Sequence, residues 1–170
     1  MDETLKPIAE QLAFNGSLLS LVFTGLDDEA ASMEPAPGLN SVKWLCGHAV
    51  TGRHQIMTLL GRPTPAPWDN VFEGPLVDES AVRVPSAAHV QQAVERSTRT
   101  LLSVLASANR KLLQTAPATP FPTVERTTLA AVAFLANHES YHIGQISYAR
   151  RLLGFPGLID VLTATSCERR

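Results

Sequence analysis

Residues 127–154 read TTLAAVAFLANHESYHIGQISYARRLLG, the longest stretch of the chain with a helical signature. Thr127 or Thr128 supplies a side-chain oxygen for the free amides of a first turn, and Leu129, Val132, Phe134 and Leu135 make an apolar lead-in. Arg150 and Arg151 suit the carbonyl end, and Gly154 follows Leu153 as a stop. A helix from Thr127 or Thr128 to Leu153 is expected. Within it His138 and His142 stand four apart, about 40° around the axis, so both imidazoles lie on one face. Two polar rings on a largely buried helix are costly unless they share a partner.

Three further helices are read outward from this one. Apolar residues from Leu5 to Val22 recur at helical spacing between Glu3 and Gly25, with a kink expected near Gly16. Asp27 to Leu39, with Pro35, Pro37 and Gly38, is read as a connector. Asn40 or Ser41 caps a second helix running to Leu60, where Gly61 and Pro63 end it. Its inward face carries Trp44, Leu45, His48, Ile56, Leu59 and Leu60. Arg62 to Pro85 is too rich in proline for a long helix. It nevertheless holds Trp68, Val71, Phe72, Leu76 and Val77, so an ordered loop is expected. Ser86 caps a third helix read through Gln114, and a proline-rich turn from Thr115 to Pro122 follows. No alternating strand pattern of comparable strength occurs. The fold class expected is all-α, an antiparallel four-helix bundle with a long ordered loop between helices two and three, forming one domain over residues 1–170.

Composition narrows the function classes. The chain has 170 residues, 45% hydrophobic, enough for one substantial core, and a net charge of −2 with no basic stripe to neutralise phosphates. Nucleic acid is not an expected partner. No apolar run reaches the length of a membrane span, and the two cysteines, Cys46 and Cys167, form no C-x-x-C pair, so no membrane partner and a cytoplasmic location are expected.

A third imidazole is available to the His138/His142 pair if helix two packs beside helix four and turns His48 towards it. Neutral imidazoles suit zinc, nickel, iron or copper, and three protein ligands leave positions open for water or substrate. One divalent transition metal on His48, His138 and His142 is the site expected. His54 lies about 120° around the helix from His48 and is read as solvent-exposed. His89 has no ligand partner at informative spacing, and Cys46 is read as a small packing residue.

The segment Asn137-His138-Glu139-Ser140-Tyr141-His142-Ile143-Gly144-Gln145-Ile146, with Arg150 and the Leu153-Gly154 end, resembles the last core helix of the DinB-like (YfiT-like) superfamily. Trp44-Leu45-Cys46-Gly47-His48 resembles that family's second-helix motif, and the likeness covers nearly the whole chain. The resemblance implies that His48, His138 and His142 match a metal-binding triad, usually occupied by nickel or zinc, and that the protein is a homodimer. It also implies relatives such as mycothiol-dependent maleylpyruvate isomerase and bacillithiol S-transferases. The expectation that follows is a low-molecular-weight-thiol S-transferase, in which a metal-activated small thiol attacks an electrophilic substrate. The alternatives are a metal-dependent hydrolase and a non-catalytic dimeric metal-binding or stress-response module.

His138 to His142 also fits H-E-x-x-H, the zinc-protease pattern in which the glutamate activates water. The metzincin extension requires glycine at position 145 and histidine at position 148, where this chain has Gln145 and Tyr148. Asp160 and Glu168 are the downstream carboxylates, read as lying in a short tail unsuited to holding peptide. Glu139 points about 100° from His138 and is expected at the surface or beside a ligand rather than as a base. Gln145 is read as satisfying a buried backbone group or a metal-bound water. Gly144 is read as either a close-approach point or a tolerated glycine. Tyr141 and Tyr148 are read as lining a pocket or packing between helices, and Trp68 and Phe72 as covering a pocket or a second subunit.

Overall fold

A computed structural model describes residues 1–68, 70–73 and 84–167. Among these described residues seven α-helices occur in chain order: α1 Lys6–Leu19, α2 Asp28–Ser32, α3 Val42–Leu59, α4 Ala87–Ala106, α5 Arg110–Leu113, α6 Thr128–Leu152 and α7 Leu158–Cys167. No strand occurs among the described residues, and the fold is all-α as the sequence reading has it. The expected caps are in place. The side chains of Ser41, Ser86 and Thr127 accept from the amides of Trp44, His89 and Ala130, satisfying donors that a first turn leaves open. Gly61 and Gly154 take positive φ just beyond α3 and α6, where the amides of Arg62 and Phe155 return to the carbonyls of Met57 and Arg150.

The four long helices pack in the cyclic order α1, α4, α3, α6. Their directions follow from two apolar clusters stacked along the bundle. One gathers Leu5, Ala9 and Leu12 of α1, Ile56 and Met57 of α3, Leu101 and Leu105 of α4, and Val132 and Leu135 of α6. The other gathers Leu18 and Leu19, Val42 to Val50, Ala87 to Val94, and Ile143 to Ala149. Hence α1 and α6 run one way and α3 and α4 the other. Neighbours α3/α6 and α1/α4 are antiparallel, whereas α3/α4 and α1/α6 are parallel, a refinement of the strictly antiparallel arrangement expected. Parallel neighbours need a long connection, and 27 residues, 60–86, separate α3 from α4.

Between the two clusters lies a polar waist. The fully buried Arg53 donates to both carboxylate oxygens of buried Glu139, at 2.6 Å through Nε and 3.1 Å through Nη2, and also to Thr98 Oγ1. Gly16 makes room for this layer, because a Cβ there would lie 2.7 Å from Thr98 Cγ2. The kink expected at Gly16 is instead a close approach of α4 to an uninterrupted α1. Nearby, Gln11 and buried Asn15 of α1 donate to Ser140 of α6.

Four boundaries differ from expectation, the first being that of α1, which ends at Leu19 with turns following it rather than running on to Gly25. The 27–39 connector contains α2, capped by Asp27. Helix three does not reach Gln114. It ends at Ala106, and Asn109 caps the separate α5; Leu105 and Leu112 keep the same helical phase across the break, which hid it. The tail is not bare, since α7 packs on α1 and α6 and Asp160 binds Arg151 and the Gly157 amide. Arg150 does not serve its own helix end. Its buried guanidinium donates to the carbonyls of Val22, Thr24 and Pro156, holding the turns after α1 to α6. Leu76, Val77 and Glu168 lie outside the described residues.

Removing one partner of a buried ion pair leaves an uncompensated charge, typically a loss of about 3–5 kcal/mol. Glu139→Leu is therefore expected to destabilise the protein by about that amount in chemical denaturation. The double variant Arg53→Met/Glu139→Leu is expected to recover much of the loss.

Candidate metal centre

The three histidines of the sequence reading come together on the outer side of the α3/α6 seam. Their ligand-capable nitrogens all lie within 4.8 Å of one another, the single such group of three or more His, Cys, Asp or Glu residues among the described residues. The His48 ring centroid is 4.7 Å from that of His142 and 5.3 Å from that of His138, and the rings meet edge to face. His138 and His142 are 4.3 Å apart by centroid. His142 is buried and the other two are half-buried, so the cluster has a wall and an open side.

Hydrogen bonds on the far side of two rings fix their tautomers. His48 Nδ1 lies 2.7 Å from the carbonyl oxygen of Phe72, which only accepts, so Nδ1 carries the hydrogen and Nε2 the lone pair. His142 Nδ1 lies 2.7 Å from Gln145 Oε1, and the Gln145 amide nitrogen donates to the Tyr141 hydroxyl at 3.1 Å. With the amide oriented in this way, His142 Nδ1 donates and its Nε2 lone pair faces His138 Nε2 at 3.0 Å. Burial, with smaller contributions from His138 and His48, pushes His142 down to about 4 against the upward pull of Gln145. Burial also lowers His138, with His48 adding to the effect and Glu139 opposing it. Near neutral pH both rings are therefore uncharged, the form that ligates.

This donor set fits a divalent transition ion. Two imidazole nitrogens about 2.0–2.1 Å from one zinc stand roughly 2.8–3.4 Å apart at angles between square and tetrahedral, and the 3.0 Å between His138 Nε2 and His142 Nε2 falls in that range. The second contacts of His48 and His142 are of the kind that orients metal-bound histidine.

The 64–73 segment holds His48 in place. Trp68 Nε1 donates to Thr51 Oγ1 at 3.1 Å, and Trp68 and Phe72 meet edge to face, both buried. A Cβ on Gly47 would sit 2.5 Å from the Phe72 ring, so this glycine admits the ring that brings the Phe72 carbonyl to His48. Trp44 stacks on His48 at 4.9 Å and 10°. Trp68 and Phe72 thus pack on their own α3.

Several other residues behave differently from the sequence reading. Glu139 is neither at the surface nor beside a ligand, being held by Arg53, and is unsuited to the base role of H-E-x-x-H. Its place was legible, since Val132, Leu135, Glu139 and Ile146 share one helical phase. Gln145 serves a histidine ring instead of backbone or water. Gly144 is a tolerated glycine, because a Cβ there would meet nothing within 4 Å. Tyr141 and Tyr148 are 62% and 64% exposed, too open for helix packing, and Tyr148 borders a groove with Leu39, Leu45 and Leu152. His54 is half-buried rather than exposed, its Nδ1 donating to the Thr64 carbonyl at 2.8 Å. His89 is exposed. Cys46 is wholly buried, and burial pushes its thiol up to about 12, as befits a packing residue.

Four long helices with three imidazoles converging on one seam define a helical protein with a three-histidine pocket. Residues 11–146 match the family model of the DinB superfamily, and the chain belongs to that superfamily. The crystal structure of a conserved protein from Enterococcus faecalis superposes with a TM-score of 0.70 at 17% identity, covering 90% of this chain and 98% of that one, a likeness of fold. No curated protein matches the sequence.

Gly47→Val is expected to cost about 1–3 kcal/mol of stability by overpacking against Phe72. It should also change the His48 imidazole signals in NMR, whereas Gly144→Ala leaves both unchanged or slightly raises stability.

Proposed function

We propose that this chain, as one domain, holds one divalent ion, zinc or nickel, on His48, His138 and His142, and acts as a metal-dependent enzyme of the low-molecular-weight-thiol S-transferase kind. The observation that carries the reading is the pair of tautomer-fixing contacts, Phe72 O on His48 and Gln145 Oε1 on His142, which direct lone pairs into one half-open pocket. A bound divalent ion supplies Lewis acidity that lowers the pKa of a thiol placed at an open position. The chain's own groups orient the ligands, close one side with Trp44 and Phe134, and leave the other side accessible. Transfer forms a sulfur–carbon bond on the electrophile as its leaving group departs with the bonding pair, and the thiol proton passes to solvent at the open face.

Hydrolysis is the weaker reading, because the carboxylate adjacent to the triad in sequence is committed to Arg53. A homodimer is supported by the exposed stripe of Tyr141, Tyr148 and Leu152 along α6. No helix among the described residues is long and apolar enough to cross a membrane, which accords with the proposed cytoplasmic setting.

Metal analysis of protein purified without chelator or nickel resin tests the centre. One equivalent is expected, lost in His48→Ala, His138→Ala and His142→Ala variants that keep their helical circular dichroism. Full metal content in all three variants would sink the proposal. A panel of small thiols with an electrophilic aryl halide then tests transfer, with turnover expected for metal-loaded protein only. Gln145→Leu is expected to lower metal affinity about 10–100-fold with an unchanged melting temperature for the metal-free form, read by chelator competition.

A further inference from the structure

A groove of about 670 Å³ opens beside the triad without including it. Its floor runs along α3 through Thr51, one turn beyond His48, and Thr58. Its far wall is the 112–121 segment. Phe121 on that wall meets Phe134 at 6.0 Å, and Phe134 stacks on His138 at 6.0 Å, so one ring separates the groove from the proposed centre.

The lining has an unusual hydrogen-bond balance. Thr51, Thr58, Thr115 and Thr128 all give their hydroxyl hydrogens to backbone carbonyls, of Gly47, His54, Leu112 and Thr115 in turn. Thr51 and Thr128 are buried and Thr51 Oγ1 already accepts from Trp68, whereas the exposed oxygens of Thr58 and Thr115 retain lone pairs and have no hydrogen left to donate. His54 spends Nδ1 on the Thr64 carbonyl, which leaves the neutral ring with an acceptor at Nε2. The exposed carboxylate of Glu73 also borders the groove, and no lysine or arginine lines it among the described residues. Beside the Gln55 amide and the Thr119 hydroxyl, which can also donate, the groove thus offers the Thr58 and Thr115 oxygens and one negative charge with no cation, and Leu59, Leu112 and Phe121 as apolar surface.

We propose that this groove is the subsite for an organic ligand whose inserted end carries hydrogen-bond donors, an ammonium group above all, joined to an apolar body, and no carboxylate or phosphate. Desolvating an anion against acceptor oxygens with no cation nearby is unfavourable, whereas an ammonium finds partners in the threonine oxygens and Glu73. That the ligand is a substrate rests on the metal-dependent transfer proposed above. The selectivity itself rests on the groove alone.

Three probes of similar shape test it: 3-phenylpropylamine, 3-phenylpropanol and 3-phenylpropanoate. They are titrated into methyl-labelled protein, as purified and after chelator treatment, with the Thr58, Leu112 and Thr115 methyl signals followed. The amine is expected to shift these signals in both preparations and to bind about five-fold or more tightly than the carboxylate, an advantage that Glu73→Gln removes. Equal or tighter binding of the carboxylate at these methyls would overturn the proposal, as would an amine that leaves them unmoved to the limit of its solubility. Because the preference is read without metal as well as with it, failure of the metal centre and failure of the groove appear as separate results.

Discussion

The buried pairing of Arg53 with Glu139 is the constraint on which the rest of the arrangement turns. It joins the centres of α3 and α6, draws in Thr98 of α4, and requires Gly16 on α1, so all four long helices meet at one level. An ion pair taken out of water is tolerated only when its donors and acceptors are matched, which fixes the helices in rotation as well as distance. The consequence reaches the pocket directly. With Glu139 turned into the bundle, its neighbour His138 and the next-turn His142 face the α3 seam, where His48 stands five residues before Arg53. The polar waist sets the phase, and the histidines converge because of it.

Much of this was legible in the residues. The i,i+4 histidine pair, the apolar lead-in, the Ser41, Ser86 and Thr127 caps and the Gly61 and Gly154 stops all act locally, and local signals survive in sequence. The convergence of His48 followed from phase and from a family likeness. What was hidden depends on contacts between distant segments. The bidentate Arg53–Glu139 pair joins residues 86 apart, and the Phe72 carbonyl that orients His48 is a backbone group with no sequence signature. The direction of α4 follows from pairing Leu101 and Leu105 with Ile56 and Met57, residues far apart in the chain. The end of α4 was masked because α5 resumes the same apolar phase after only a few residues.

The histidine cluster and the large groove divide the chemistry between them. The cluster presents uncharged nitrogen lone pairs held by one carbonyl and one amide, and the groove presents oxygens whose hydrogens are already spent on the backbone. Both are built by the same device: the protein satisfies the outer valence of a side chain so that a defined inner one is left. Phe134 stands between the two regions, close enough to couple them and large enough to keep them distinct.

The pocket draws its parts from segments far apart in the chain. His48 is oriented by a carbonyl 24 residues onward, and it faces rings contributed 90 and 94 residues later in the chain. None of these contacts is available to an isolated helical hairpin, and closing such long loops is entropically expensive until the bundle core repays it. The three-nitrogen pocket therefore exists only in the assembled bundle. Any ion it binds reports on completion of the whole tertiary structure, and its binding free energy adds to the stability of that completed state alone.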